Sequence, residues 1–267
     1  MAEHSSLLPV AREAVAIARR IVLDRSPVSF SSKGERDLVT NVDIAVEEAV
    51  REFLTRETPE IGILGEEHGR TGPPGGLWWA LDPVDGTANF ARGIPLCGVS
   101  LGLVDGRRAV VAAIDLPFLG ARYAAVEGFG AYAGESRIQA SAATDLADAV
   151  IAIGDFAVGA GAEVKNRARL ALLGELGARA QRIRMLGTAA IDLAWVAEGK
   201  LEAAVILANL PWDTLAGVLL VREAGGLVLD ADDAQHTVDS AATIAVCPGL
   251  RPEIMAALRR SLGECSV

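Results

Sequence analysis

Asp82 and Asp85 stand on either side of Pro83-Val84, at the end of an apolar run that begins near Leu77. Proline stiffens such a turn. Two hard oxygen donors held on it suit Mg²⁺, which binds carboxylates while keeping several of its waters. Gly86-Thr87 comes next and is placed to open a helix whose free N–H groups would bind a phosphate. Read alone, this Asp-Pro-Val-Asp-Gly stretch is better explained as an ordinary turn. The balance shifts when the other acidic residues at element ends are added. Glu66 and Glu67 follow the apolar stretch 61–64, Asp213 follows Trp212 at the head of an apolar helical run, and Asp43 falls in the first turn of a helix. An acidic residue near a helix N-terminus is usually there for the dipole, so each is weak evidence singly. Together they offer four or five carboxylates at element ends, as two-metal phosphoryl chemistry requires.

The elements that must position these groups are legible from periodicity. Apolar residues at helical spacing with interleaved arginines predict an amphipathic helix over 7–23. Residues 26–37, with Pro27 and Gly34, predict a loop or mobile hairpin. Thr40 reads as an N-cap with Asp43 three residues on, in a shortened capping-box pattern. The helix it opens runs through Val46, Val50 and Phe53 toward Pro59. Strands are expected at 61–64, 77–81, 97–104, 108–114 and 122–126. Asp105-Gly106 marks a hairpin between the third and fourth. The first half therefore reads as two helices and an antiparallel meander.

In the second half, strands expected at 150–154, 182–185, 201–206, 227–229 and 243–246 have helical patterns between most of them, around Leu170, Leu193, Val218 and Ala256. That alternation predicts α/β layering. The polar, small-residue stretch 136–145 is a boundary between an N-terminal half, 1–140, carrying most of the carboxylates, and a C-terminal half, 141–267, carrying Asp213.

Composition narrows the partners. A net charge of −10 argues against non-specific nucleic-acid binding, which runs on Lys and Arg against phosphate. It leaves an anionic small substrate open, because bound metal ions invert the local field. Cys97, Cys247 and Cys265 are odd in number and form no C-x-x-C, so neither a disulfide framework nor a thiolate zinc site is expected. Residues 1–9 lack a basic region followed by an apolar core, and no apolar run is long enough to cross a bilayer. A cytoplasmic chain without membrane partners is expected.

Several competing signals are weaker. Gly98-Val99-Ser100-Leu101-Gly102 matches the G-x-S-x-G nucleophile elbow, but a helix should follow that serine. The Asp105-Gly106 turn comes instead, so Ser100 reads as a strand residue. His4, His68 and His236 are too scattered for a zinc site, with His236 in a polar loop. Trp78, Trp79, Trp195 and Trp212 read as packing residues, and Gly128-Phe129-Gly130 as a tight turn. Arg179, Arg182 and Arg184 read as a solvated strand face, from which one arginine could reach a second phosphate or a dimer partner.

The blocks in their order resemble the inositol monophosphatase family. Asp37-Leu38-Val39-Thr40-Asn41-Val42-Asp43 is similar to its D-L-V-T-x-x-D, Gly65-Glu66-Glu67 to G-E-E, and Asp82 through Phe90 to D-P-x-D-G-T-x-N-F. Gly93-Ile94-Pro95, Gly187-Thr188-Ala189-Ala190, and Trp212-Asp213 with Glu223-Ala224-Gly225-Gly226 complete the series. The resemblance implies a layered α-β-α-β-α sandwich of the inositol monophosphatase and fructose-1,6-bisphosphatase type, a homodimer, and hydrolysis of a small phosphate monoester with two or three Mg²⁺ ions. It implies metal ligands in Glu66, Asp82, the Val84 carbonyl, Asp85 and Asp213, with Asp43 holding a further metal through water. Glu66 and Thr87 would orient and help deprotonate the attacking water. Gly86, Thr87 and Lys33 would meet the phosphate, Gly187 and Thr188 the leaving group. Inhibition by Li⁺ is implied as well.

Inositol-selective members often carry an acidic residue shortly before Trp-Asp, and residues 205–211 carry none. Inositol monophosphate stays the first expectation, with histidinol phosphate, sugar phosphates or nucleotide-derived phosphates as alternatives. The apolar wall predicts broad activity, within about 100-fold across small monoesters. A non-catalytic binding or regulatory module is the alternative of another class.

Overall fold

The computed structural model describes residues 2–24, 29–34, 37–73 and 75–263. A short helix α1 (Ala2–Ser5) precedes α2 (Leu8–Asp24), which buries Ala11, Ala14, Val15, Ala18 and Val22 along one stripe. Strands β1 (Phe30–Gly34) and β2 (Asp37–Thr40) form an antiparallel pair where a loop or hairpin is expected. Thr40 then caps α3 (Asn41–Glu57). Its hydroxyl accepts from the Val42 and Asp43 N–H groups, while the Asp43 carboxylate accepts from the Thr40 N–H, so the capping box is complete.

The larger sheet is built from β3 (Gly62–Gly65), β4 (Gly69–Thr71), β5 (Trp78–Asp85), β6 (Gly98–Asp105), β7 (Arg108–Leu116), β8 (Ala121–Val126), β9 (Gly130–Ala133) and β10 (Ser136–Arg137), with a short helix α4 (Thr87–Ala91) between β5 and β6. Its spatial order is β10-β9-β8-β7-β6-β5-β3-β4. The meander expected from the sequence holds from β5 to β10. β3 and β5, however, run parallel, with β4 returning antiparallel on the outer side of β3. Glycines at 69, 72, 75 and 76, all at positive φ, let the chain make that reversal.

The smaller sheet combines β11 (Val150–Ile153), β12 (Arg182–Arg184), β13 (Ala203–Ile206), β14 (Leu227–Leu229) and β15 (Thr243–Val246), in the order β12-β11-β13-β15-β14. Its helices are α5 (Ala162–Gly177), α6 (Ala189–Ala197), α7 (Pro211–Glu223) and α8 (Arg251–Gly263).

Period-two alternation sorts side chains into three apolar layers. Along β5 and β7, Trp79, Leu81, Val111 and Ala113 pack with α2 and α3, whereas Ala80, Ala112 and Ile114 join a middle core with α6 and α7. Along β13, Ala204 and Ile206 face that middle core, and Ala203 and Val205 face the outer core beneath α5 and α8. The result is the layered α-β-α-β-α sandwich. α6 and α7 fill its centre at close approach: a Cβ on Gly217 of α7 would lie 2.5 Å from the Leu193 Cβ of α6. The C-terminal end of α7 is also tied to the sheet, because the Glu223 carboxylate accepts from the N–H groups of Gly128 and Gly130 at 2.9 and 2.7 Å. No helix among the described residues is long and apolar enough to cross a membrane.

Candidate active site

The site lies where β5, α3, α4, α6 and α7 come together. β5 carries Asp82 and Asp85, and its register with β6 shifts between them, so Pro83-Val84 forms a bulge. A bulge re-aims side chains at a strand end, and here it leaves both carboxylates buried. The Asp82 Oδ1 accepts from the Val84 N–H at 3.0 Å, which fixes the turn from within. Gly86 follows at φ 88°, and a Cβ there would lie 2.9 Å from the Leu96 carbonyl oxygen and 3.2 Å from that of Gly187. Only glycine fits both the backbone angle and the space.

Thr87 opens α4. Its hydroxyl lies 3.1 Å from Asp43 Oδ1 and 3.0 Å from the Val84 carbonyl oxygen, each a possible acceptor for its single proton. Asp43 is fully buried and is held from the other side by the Thr40 hydroxyl and N–H. Burial raises its pKa, and hydrogen bonds from Thr40, Thr87 and its own backbone pull it back. One residue therefore caps α3 and reaches the Asp82–Asp85 turn.

Glu66 follows β3 and owes its place to a residue that sequence reasoning missed. Glu47, fully buried on α3, accepts from the N–H groups of Glu67 and His68 at 2.8 and 2.9 Å. Arg51, one turn later, donates to it at 2.8 Å and also bonds Thr71 and the Gly69 carbonyl. The Glu47 carboxylate fills the space above Gly65: a Cβ there would meet Glu47 Oε1 at 2.3 Å. Its only signal in the sequence is an acidic residue on the apolar stripe of a helix, four residues before an arginine.

Asp213 sits in the first turn of α7, after Pro211, and is half-buried. Gly187, at φ 71°, and Thr188 lead into α6. The Thr188 hydroxyl and the Ala190 N–H both donate to Asp85 Oδ2. Asn89 joins α4 to this segment, donating to the carbonyls of Leu96 and Leu186 at 2.8 Å each. Lys33 falls on β1, and its side chain lies outside the described residues.

Electrostatics shows how closely these groups converge. Burial first, then the charges of Asp85, Glu66, Asp213 and Asp43, push Asp82 well above the ordinary carboxylate range. Burial, then Asp85 and Glu66, does the same to Asp213. Asp85 is pushed up to about 6 by burial, against hydrogen bonds from Thr188, Ala190 and Ala189. A cation set between such groups reverses this logic. Among the described residues, no three His, Cys, Asp or Glu side chains are drawn up into a ready-made metal cage. Asp43, Asp82 and Asp85 instead each turn an oxygen toward the donors just named. The donor set is nevertheless all oxygen, and an ion that keeps several waters needs only one or two carboxylates at bonding distance. The residues fit a hard divalent cation.

The competing sites do not assemble. Ser100 lies inside β6, fully buried, on a strand that turns directly into β7 rather than into a helix. His236 lies in a polar loop as expected, but its ring is buried, lies 2.9 Å from the Thr243 hydroxyl, and is pushed down to about 4 by burial and by Arg222. Arg182 and Arg184 are exposed on β12, and Arg179 pairs with Glu175 and Glu253. The indole N–H of Trp212, beside Asp213, is buried without a hydrogen-bond partner among the described residues.

The sequence signature of the inositol monophosphatase family matches residues 3–264. The chain is 37% identical over 243 residues, 88% of each protein, to the inositol-1-monophosphatase ImpA of Mycolicibacterium smegmatis. It is 33% identical over 205 residues, 74% of each, to the fructose-1,6-bisphosphatase/inositol-1-monophosphatase of Aquifex aeolicus. Among solved structures, the inositol monophosphatase from Anabaena superposes with a TM-score of 0.86 at 29% identity, covering 97% of both chains.

Proposed function

Because the chain belongs to the inositol monophosphatase family, and is thus a phosphoric monoester hydrolase, we propose that it cleaves a small phosphate monoester with Mg²⁺, inositol 1-phosphate being the first substrate to test. The cations would be two or three in all: Glu66, Asp82, the Val84 carbonyl, Asp85 and Asp213 would hold the first two, and Asp43 would hold a further one through water. The observation that carries this reading is the convergence of four other carboxylates, Asp85, Glu66, Asp213 and Asp43, on buried Asp82. When bound, the metal supplies charge to the phosphoryl group and makes water acidic enough to attack at neutral pH.

The remaining work falls to groups of the chain itself. The Gly86 and Thr87 N–H groups, at the head of α4, point donors at a phosphate oxygen, and Lys33 adds charge beside it. With its proton given to Asp43 or to the Val84 carbonyl, the Thr87 hydroxyl turns a lone pair toward the water. Glu66, held in place through the Glu47 clamp, shares the water's orientation and takes its proton. Gly187 and Thr188 border the leaving group. No serine, cysteine or histidine nucleophile is needed, since positioning and charge account for most of the catalysis in phosphoryl transfer.

Histidinol phosphate, a sugar phosphate or a nucleotide-derived phosphate would be cleaved by the same chemistry. Phosphate release from inositol 1-phosphate, glycerol 2-phosphate, histidinol phosphate and a nucleoside monophosphate, in Mg²⁺ and in EDTA, tests the proposal. Turnover that survives EDTA would overturn it. A homodimer belongs to the same reading and is tested by sedimentation.

A further inference from the structure

The leaving-group end of the site has two walls. One is the β13–α7 connection, 207–210, which offers no charged side chain. The other is the segment that leaves β11. Gly154 is fastened to β13 by its N–H on the Val205 carbonyl at 2.9 Å, and Asp155 comes next. Arg169, buried on α5, donates from Nε to the Asp155 carbonyl and from Nη2 to the Leu207 carbonyl, both at 3.1 Å. It therefore holds the two walls in fixed relation. The Asn166 side chain clamps Ala157 through both its N–H and its carbonyl, at 2.7 and 2.9 Å. Asp155 thus projects from a braced segment.

Its carboxylate is exposed and reaches the heart of the site. A Cβ on Gly187 would lie 3.6 Å from Asp155 Oδ2 and 3.3 Å from the Asn89 Nδ2. The lack of a side chain at Gly187 leaves that space open. The charge of Asp155 is felt by Asp85 and by Asp192, a carboxylate buried on α6 whose Oδ1 has no hydrogen-bond partner among the described residues. Asp155 makes no side-chain hydrogen bond or ion pair among the described residues.

On the proposed phosphatase reading, we infer that Asp155 selects the leaving group, its carboxylate accepting hydrogen bonds from hydroxyl or ammonium groups on the departing alcohol beside Gly187. A charged contact missing from the segment before Trp212 is supplied from the segment that leaves β11. The same charge repels a substrate that carries a second phosphate at that end, since like charges brought together out of bulk water cost several-fold in affinity.

The experiment compares wild-type protein with Asp155→Asn and Asp155→Ala on four esters in saturating Mg²⁺. Inositol 1-phosphate offers neutral hydroxyls, histidinol phosphate an ammonium, fructose 1,6-bisphosphate a second anion, and p-nitrophenyl phosphate none of these. The readout is kcat/KM for each ester divided by that for p-nitrophenyl phosphate. In Asp155→Ala the ratio for inositol 1-phosphate or histidinol phosphate should fall by about 10-fold or more, mainly through KM, as expected for a lost hydrogen bond to a charged group. The ratio for the bisphosphate should rise. Asp155→Asn keeps an acceptor and removes the charge, so it should spare a hydroxyl contact and abolish an ammonium contact. Ratios within about 2-fold of wild type in both variants would overturn the inference alone. Absence of Mg²⁺-dependent release from all four esters by the wild type would overturn the phosphatase reading and the inference with it.

Discussion

The Thr188 hydroxyl donates to Asp85 Oδ2 at 2.5 Å, across 103 positions of the chain, and the Ala190 N–H donates to the same oxygen at 2.5 Å. The carboxylate is anchored to the first turn of α6 through one oxygen and keeps Oδ1 for the site. The middle helix layer and the larger sheet therefore meet at a group proposed to hold metal, and disturbing either should be felt by the other.

Asp85→Asn and Asp213→Asn should both fold, because each removes charge at nearly constant volume, and asparagine keeps an acceptor for Thr188. Each should lower kcat by on the order of 100-fold or more, comparable with losing a strong electrostatic stabiliser. Circular dichroism establishes folding, and phosphate release in Mg²⁺ the loss. Folded variants with near wild-type turnover would remove both residues from the mechanism.

Metal that binds the folded site and not the unfolded chain should raise the melting temperature by mass action. Thermal unfolding in EDTA and then in millimolar Mg²⁺ measures it. The shift should be several degrees in wild type and much smaller in Asp213→Asn. Equal melting temperatures in both buffers, with no heat of binding by calorimetry, would count against a formed site.

Without metal, stability should fall as pH rises through the acidic range. The folded pKa of Asp85 is raised from 3.8 to about 6. Between those values the native state binds more protons than the unfolded chain, so the free energy of unfolding decreases with rising pH. The contribution is at most about 3 kcal/mol and is fully lost above the folded pKa. Denaturant unfolding in EDTA from about pH 4 to about pH 7 should show a shallower decline in Asp85→Asn than in wild type. Parallel curves would show that Asp85 does not titrate in that window.

The Glu47 clamp makes a separate prediction. Gly65→Ala would force a Cβ to within 2.3 Å of Glu47 Oε1. Overpacking of this kind costs about 1–3 kcal/mol and displaces the neighbouring backbone. The variant should stay folded, bind Mg²⁺ more weakly and turn over slowly. Glu47→Ala leaves Arg51 without its buried partner and should destabilise by about 3 kcal/mol. Full activity in Gly65→Ala would mean that Glu66 does not depend on the clamp.

Much of this was legible in the sequence, for reasons that differ by residue. The helices around Ala14, Val46 and Val218 follow from apolar spacing, and the Thr40–Asp43 capping box was visible as a pattern of local hydrogen-bonding types. Asp82, Asp85 and Glu66 stood out because they come at the end of apolar runs, and Asp213 because it heads one. Glu47 did not: a carboxylate on a helix is ordinarily solvated, and only the folded approach of the Gly65-Glu66-Glu67 turn makes it a receiver of two N–H groups. Asp155 was hidden for another reason. Its relation to Gly187 exists only after α5 and β13 are in place, with Arg169 between them. The parallel pairing of β3 with β5 escaped because periodicity reports which face is buried and is silent on strand direction. The polar neighbours of His236 gave its loop but not its burial, because Thr243 and Asn209, distant in sequence, draw the ring inside.

α7 carries Asp213 in its first turn and Glu223 at its end, where Glu223 holds the β8–β9 turn through Gly128 and Gly130. Ten residues of helix fix those two carboxylates about 15 Å apart along one rigid axis. The interval between the Trp-Asp and Glu-Ala-Gly-Gly blocks is therefore a length and an angle as well as a count. One inserted residue would rotate Asp213 by about 100° relative to Glu223 and lift it from the site while the far anchor held. An insertion of the same size in the exposed stretch 158–161, beyond the braced segment that follows β11, would be absorbed by the loop. Along this helix the number of residues is fixed as firmly as the identities of Asp213, Gly217 and Glu223.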